Sequence, residues 1–280
     1  MQVLEANGIH IEYETHGEGY PLILIAGLGY DRWMWHKMIP YLSSQFRVIA
    51  FDNRGVGGTD KPEGPYSAWL LAQDTAALLE ALGIEQAAIL GHSMGGFVAQ
   101  ALALSRPDLT GCLILSATNF GGPRHIPVSP EALAVLTDVS GDPIARLRRG
   151  LVVSTAAGFA ESHPEIIEEW LAYRMAHPIH PAGYQAQLAV GLGLLQEEAC
   201  FEPRLHEITA PALILFGEED RVVPPGNADL LARKIPHSQV KILPGCGHFY
   251  PFEAPERASA AVVEFIHHQV EQTNKERTRR

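Results

Sequence analysis

Residues 87–105 constrain this chain more than any other stretch. Ala87-Ala88-Ile89-Leu90 is short and wholly apolar, as the end of a strand covered on both faces is. Gly91-His92-Ser93-Met94-Gly95 follows, and residues 97–105 then carry Ala, Leu and Val at helical spacing. Strand, sharp turn and helix succeed one another, with Ser93 at the turn. So tight a turn forces its central residue into a strained backbone conformation. Side chains two positions to either side would collide there, and glycine at 91 and 95 removes them. The Ser93 hydroxyl is then held at the carboxyl edge of a sheet, over the amino end of a helix whose N–H groups and dipole suit an oxyanion. A structural turn serine fits the same five residues, so a catalytic reading needs an acid and then a histidine further along.

The flanking segments supply the sheet. Residues 2–15 alternate in polarity around Asn7-Gly8 and predict a hairpin. Residues 21–26, 47–51, 112–116 and 211–216 are apolar runs that predict buried strands, and a further strand at 239–243 brings the sheet to eight. Helices are expected at 33–42, 66–82 (stopped by Gly83), 93–105 and 255–270, with 271–280 a polar, frayed end. Strands alternating with helices mean a mostly parallel sheet covered on both faces. That rhythm stops near Asn119. Residues 120–207 offer helices at 131–137, 144–155, 164–176 and 182–195, punctuated by Pro178, Pro181 and Pro203, and no good strand. The expected organisation is a core domain of residues 1–119 and 208–280 with a helical cap of residues 120–207.

Composition narrows the function classes. The formal net charge of −11 argues against a nucleic-acid or anionic-membrane surface, though solubility alone accounts for most such charge. No apolar run approaches the roughly 18 residues of a membrane span. No secretory signal is visible at Met1-Gln2-Val3-Leu4-Glu5, and Cys112, Cys200 and Cys246 fit neither a disulfide frame nor metal spacing. A cytoplasmic protein with reduced thiols, as a monomer or small homo-oligomer, is the expectation. Residues 52–58 tempt a dinucleotide reading, but Gly55-x-Gly57-x-x meets Asp60 instead of glycine, which leaves a turn braced by Asp52 and Arg54. His177 and His180 flank Pro178, and a zinc site there would need further ligands. No metal and no cofactor are expected.

Ser93, Asp220 and His248 each follow a predicted strand, and loops at that edge of a parallel sheet converge. A serine hydroxyl is a weak nucleophile until a histidine takes its proton, and a carboxylate must hold that imidazole in one tautomer. Asp220 could instead be a loop cap, with Glu218 or Glu219 as the acid, and His248 could be structural. His92 reads as pocket wall or support.

At this point the chain resembles the α/β-hydrolase superfamily, in its serine esterase and enol-lactonase-like branches. The resemblance covers roughly residues 8–116 and 209–265. It is carried by Gly91-His92-Ser93-Met94-Gly95-Gly96, Phe51-Asp52-Asn53-Arg54-Gly55-Val56-Gly57, Gly217-Glu218-Glu219-Asp220-Arg221-Val222-Val223-Pro224, and Gly247-His248 with Glu253 and Pro255 beyond. It implies Ser93 as nucleophile, His248 as general base and Asp220 as orienting acid, with the backbone N–H groups of Leu28 and Met94 as the oxyanion hole. The family pattern His-Gly-x is Ala26-Gly27-Leu28 here, so the histidine is missing while the donor remains. A serine nucleophile separates the chain from the dehalogenases and epoxide hydrolases that use aspartate. Gly27, His92, Trp33, Phe120, Trp170 and Leu192 are candidate pocket residues, as are Trp35 and Tyr173. A pocket with no obvious basic clamp implies a small uncharged ester or lactone, cleaved through an acyl-enzyme. Alternatives on the same residues are a C–C bond hydrolase, a cofactor-free perhydrolase, and a ligand-sensing protein with slow hydrolysis.

Overall fold

The computed structural model describes residues 1–138 and 140–278. Eight strands form one sheet: β1 (Gln2–Ala6), β2 (Ile9–His16), β3 (Pro21–Ile25), β4 (Arg47–Phe51), β5 (Ala87–His92), β6 (Thr110–Ser116), β7 (Ala212–Gly217) and β8 (Ser238–Leu243). Their order across the sheet is β1-β2-β4-β3-β5-β6-β7-β8. β1 and β2 pair antiparallel through the Asn7-Gly8 turn, β2 pairs antiparallel with β4, and every further pairing is parallel.

Period-two patterning divides the core. Ile23, Ile25, Ile49, Phe51 and Ile89 face one layer, where α2 (Ala68–Ala81) and α3 (Met94–Ser105) pack through Leu71, Leu78, Val98 and Leu102. Leu22, Leu24, Val48, Ala50 and Leu90 face the other, against α1 (Ile39–Leu42) and α11 (Pro255–Thr278). Because adjacent residues of each central strand are buried on opposite faces, these strands read as unbroken apolar runs.

Between β6 and β7 the described chain is helical: α4 (Pro130–Thr137), α5 (Pro143–Ser154), α6 (Phe159–Ser162), α7 (Pro164–Ala176) and α8 (Pro181–Gly193). Two shorter helices complete the set, α9 (Gly226–Ala232) after β7 and α10 (Tyr250–Glu253) after β8. Among the described residues no helix is long and apolar enough to cross a membrane.

Two boundaries differ from the sequence expectation. The single helix expected at 33–42 is a 3-10 turn over Arg32–Trp35 followed by α1. Pro40 has no N–H to continue a helix and instead occupies the first turn of a new one. The closing helix was expected to end at 270 with a frayed tail, yet it continues to Thr278; Arg279 and Arg280 lie outside the described residues. The turn after β4 also differs in its bracing. Asp52 accepts from Gly58 N–H (2.8 Å) and Arg32 N–H (2.8 Å), as a brace should. Arg54 reaches away instead, making paired 2.5 Å bonds to Asp74 on α2.

Candidate active site

The parallel register aligns the carboxyl ends of five strands. Ile25 lies opposite Gly91, His92 opposite Ser116, Ser116 opposite Leu215, and Gly217 opposite Leu243. The loops that follow carry Leu28, Ser93, Asp220 and His248 along one edge.

Ser93 adopts φ 54° and ψ −119°, a conformation that L-residues rarely hold. Its neighbours enforce it. The Ser93 N–H donates to the Ser116 carbonyl (2.8 Å), and the Ser93 carbonyl accepts from Thr118 Oγ1 (2.8 Å) and Gly96 N–H (2.9 Å). A Cβ on Gly91 would lie 2.2 Å from the Gly95 carbonyl oxygen, the collision anticipated across the turn. A Cβ on Gly95 would instead lie 2.2 Å from the Ile25 carbonyl oxygen, so this glycine lets the turn approach β3. Met94 is the first residue of α3, and its N–H therefore has no helical acceptor.

Asp220 is 3% exposed and fully committed. Its Oδ1 accepts from the N–H groups of Val222 and Val223, both at 2.8 Å, and its Oδ2 lies 2.7 Å from His248 Nδ1. An acceptor-only carboxylate there makes Nδ1 the protonated nitrogen and leaves Nε2 with a lone pair. The competing carboxylates go elsewhere: Glu218 accepts from Gly245 N–H (3.0 Å) and Glu219 from Ala157 N–H (2.9 Å). His248 and Ser93 line one cavity of about 570 Å³. Among the described residues no hydrogen bond joins Ser93 Oγ to His248 Nε2, a contact that commonly tightens only around substrate.

His92 is buried beside them, its ring centroid 4.8 Å from that of His248. Tyr250 O–H donates to the Leu215 carbonyl (3.3 Å), Ser116 Oγ meets Tyr250 Oη, and His92 Nδ1 lies 2.7 Å from Ser116 Oγ. Burial, and then the nearby His248, hold the His92 pKa well below the usual imidazole range.

The remaining pocket candidates separate. Gly27, Leu28, His92 and Trp170 line the large cavity. Leu192 lines a smaller one of about 260 Å³ that also reaches Ser93 and shares Leu28 and Val222 with the large one. Trp33 and Tyr173 are corrections: they stack on each other (centroids 3.9 Å apart, 3° between planes) and line a second cavity, beside Gly29 and Asp31, that meets the large one only at Arg174 and Ile179. Phe120 and Trp35 are corrections too, since both are core residues, 1% and 0% exposed, and neither lines the large cavity or that of Leu192. The expectation of no basic side chain also changes, because Arg146 and Arg174 line the large cavity. Arg174 is engaged: Nη2 donates to the Gly29 carbonyl (3.0 Å), Nη1 is 4.0 Å from Asp31, and the guanidinium lies 4.5 Å from the centroid of the Tyr30 ring.

Sequence reasoning missed Gln187 and Glu253's bracing role. Gln187, fully buried on α8, accepts from Gly29 N–H (2.9 Å) and donates to the Arg54 carbonyl (2.8 Å). An amide on the buried side of an apolar helix was the available signal. Glu253 accepts from Gly247 N–H (3.1 Å) and Ala156 N–H (2.8 Å), and burial pushes its pKa up to about 7. His177 stacks on Tyr173, and His180 Nδ1 accepts from Gly183 N–H at the start of α8. Among the described residues no group of three or more His, Cys, Asp or Glu is placed to hold a metal ion.

Comparison with known proteins places this geometry in a family. A family model described as the alpha/beta hydrolase fold matches residues 20–255. A putative non-heme bromoperoxidase, BpoC, of Mycobacterium tuberculosis is 32% identical over 268 residues, covering 92% of this chain and 98% of that protein. A 3-oxoadipate enol-lactonase of Acinetobacter baylyi is 31% identical over 270 residues, covering 92% and 94%. The structure of a thermophilic esterase from Thermogutta terrifontis superposes with a TM-score of 0.78 at 31% identity, covering 96% of this chain and 99% of the other. With an eight-stranded, mostly parallel sheet, a strained serine turn and a match over most of its length, this chain belongs to the α/β-hydrolase family.

Proposed function

We propose that this protein is a serine hydrolase that cleaves small carboxylic esters or lactones through an acyl-enzyme. The observation that carries the reading is the Asp220–His248 pair, 2.7 Å apart, on the wall of the cavity that holds the strained Ser93. Its steps follow from the proton inventory. His248 Nε2 takes the Ser93 Oγ proton as the hydroxyl attacks the acyl carbon, and Asp220 stabilises the imidazolium that forms. The N–H groups of Leu28 and Met94 receive the oxyanion, and His248 returns the proton to the leaving oxygen. Water, giving a proton to the same nitrogen, then attacks the acyl carbon, and His248 passes that proton to Ser93 Oγ as the acyl–Oγ bond breaks and the acid leaves.

The cavity supports the substrate class. Leu147, Leu151, Trp170 and Phe249 give it apolar walls; of the two arginines that also line it, Arg146 and Arg174, the Arg174 guanidinium is taken up by Gly29 and Tyr30. The region between β6 and β7 serves as its cap, and the smaller cavity also reaches Ser93 and Leu28. Nitrophenyl esters of rising chain length and a lactone series test the reading. Turnover by the wild type that Ser93→Ala abolishes, a loss of about 10⁶-fold, is the expected result. Absence of Ser93-dependent turnover on every ester and lactone overturns it.

A further inference from the structure

The turn after β3 holds the proposed oxyanion donor, and each of its three peptide planes is pinned. Tyr30 N–H donates to the Gly27 carbonyl (3.2 Å), closing the turn. Gly29 sits at φ +73°, the value needed at the third position of a type II turn. The Gly27–Leu28 peptide carries that accepting carbonyl on one side. A trans peptide therefore directs the Leu28 N–H to the opposite side. The Leu28–Gly29 peptide is held by Gln187 Oε1 on the Gly29 N–H (2.9 Å). The Gly29–Tyr30 peptide is held by Arg174 Nη2 on the Gly29 carbonyl (3.0 Å). A Cβ on Gly29 would lie 3.0 Å from the Tyr184 ring. Gln187, Arg174 and Tyr184 all belong to the helices between β6 and β7, so the donor loop is shaped from above.

We infer that Gln187 is a positioning residue: by holding the Leu28–Gly29 peptide it keeps in place the turn whose neighbouring Gly27–Leu28 peptide carries the Leu28 N–H, and so makes the oxyanion hole depend on the seating of α8. This rests on the serine-hydrolase reading. Gln187 is suited to the task because it is fully buried and satisfied at both ends, with its Nε2 anchored on the Arg54 carbonyl at 2.8 Å. A side chain held at one end only could rotate; one held at both transmits the position of α8 to the Gly29 peptide. Leu188 and Gly191, on the same helix, line the smaller cavity at Ser93. Substrate seated there touches the helix that shapes the donor loop.

The test compares wild type with Gln187→Met, which keeps the length and loses both hydrogen bonds, and with Gln187→Glu, which keeps an oxygen for the Gly29 N–H. The readouts are kcat and KM on a nitrophenyl ester, inhibition by phenylboronic acid, whose serine adduct places an anionic oxygen in the hole, and the melting temperature. Gln187→Met is expected to lower kcat by about 10- to 100-fold, less than the roughly 10²–10³-fold lost when a donor is removed outright. KM stays within about twofold, boronate affinity falls by the same factor as kcat, and Gln187→Glu recovers part of the loss. Wild-type kcat in Gln187→Met, or a lowered melting temperature with kcat and boronate affinity unchanged, overturns the inference. Should Gln187→Met fail to fold, the same readings are taken on Gln187→Asn, one carbon too short to span both partners. Absence of Ser93-dependent turnover in the wild type overturns the hydrolase reading itself, an outcome separate from any result on the Gln187 variants.

Discussion

Gly95→Ala is a one-carbon change whose consequences follow from a single contact. The new Cβ would lie 2.2 Å from the Ile25 carbonyl oxygen and 2.8 Å from that of Ala26. Both atoms belong to backbone at the end of a central strand, so no side chain can swing aside. Relief requires β3 and the serine turn to separate by roughly 1 Å, since overpacked cores yield by backbone shift at about 1–3 kcal/mol. With backbone as the obstacle, the upper end, about 3 kcal/mol, applies. At about 2.1 cal/mol/K per residue, unfolding of a 280-residue chain gains about 0.6 kcal/mol per degree, so the melting temperature falls by about 5 °C. Activity falls further, because the separation moves Met94 away from Leu28. A misplacement of about 1 Å costs roughly 10²-fold in rate. Gly83→Ala is the control: Gly83 has φ +66° and nothing within 4 Å of the built Cβ. It bears only the left-handed strain of about 1 kcal/mol, a shift near 2 °C, with kcat unchanged. Differential scanning fluorimetry and steady-state kinetics on one ester read both quantities. A Gly95→Ala protein with wild-type melting temperature and kcat would refute the account of the turn.

Two further outcomes are expected. Asp220→Asn places an amide against His248 Nδ1, which favours the tautomer with its proton on Nε2 and leaves no acceptor for the Ser93 proton; kcat should fall by about 10⁴-fold with KM nearly unchanged. Glu253 has its pKa raised by burial from the ordinary 4.5 to about 7. Both states are protonated below about pH 4.5, so Glu253 imposes no penalty there. Between 4.5 and 7 only the unfolded chain ionises, and stability is lost as pH rises, on the order of 3 kcal/mol by the top of that window. Denaturant titrations of Glu253→Gln should lack this fall, and parallel pH profiles for the two proteins would contradict it.

The sheet and the serine turn were legible because their causes are local. A strand buried on both faces must be an apolar run, and a backbone that comes within van der Waals range of another must be glycine. Gly91, Gly95 and the runs at 87–90 and 211–216 each state their environment in a few residues. The convergence of Ser93, Asp220 and His248 needed only the further rule that parallel strands deliver their following loops to one edge. The split near residue 40 was legible in principle too, from Pro40, and was lost to an apolar periodicity that runs through it.

What surrounds the serine was decided otherwise. Trp33, Phe120 and Trp170 are alike as aromatic residues of the sequence, yet one stacks on Tyr173, one is core, and one walls the cavity. Side-chain direction there depends on how helices seat on the sheet, and an aromatic residue pays no local penalty for any of the three. The grip on Gly29 lies further still from local reading, since Arg174 and Gln187 stand 145 and 158 residues along the chain from it. Local sequence determined the strained turn that presents Ser93, because steric exclusion acts between near neighbours. Only the tertiary structure decided the pocket walls and the bracing of the loop at Gly29, because those contacts exist only once distant helices have docked.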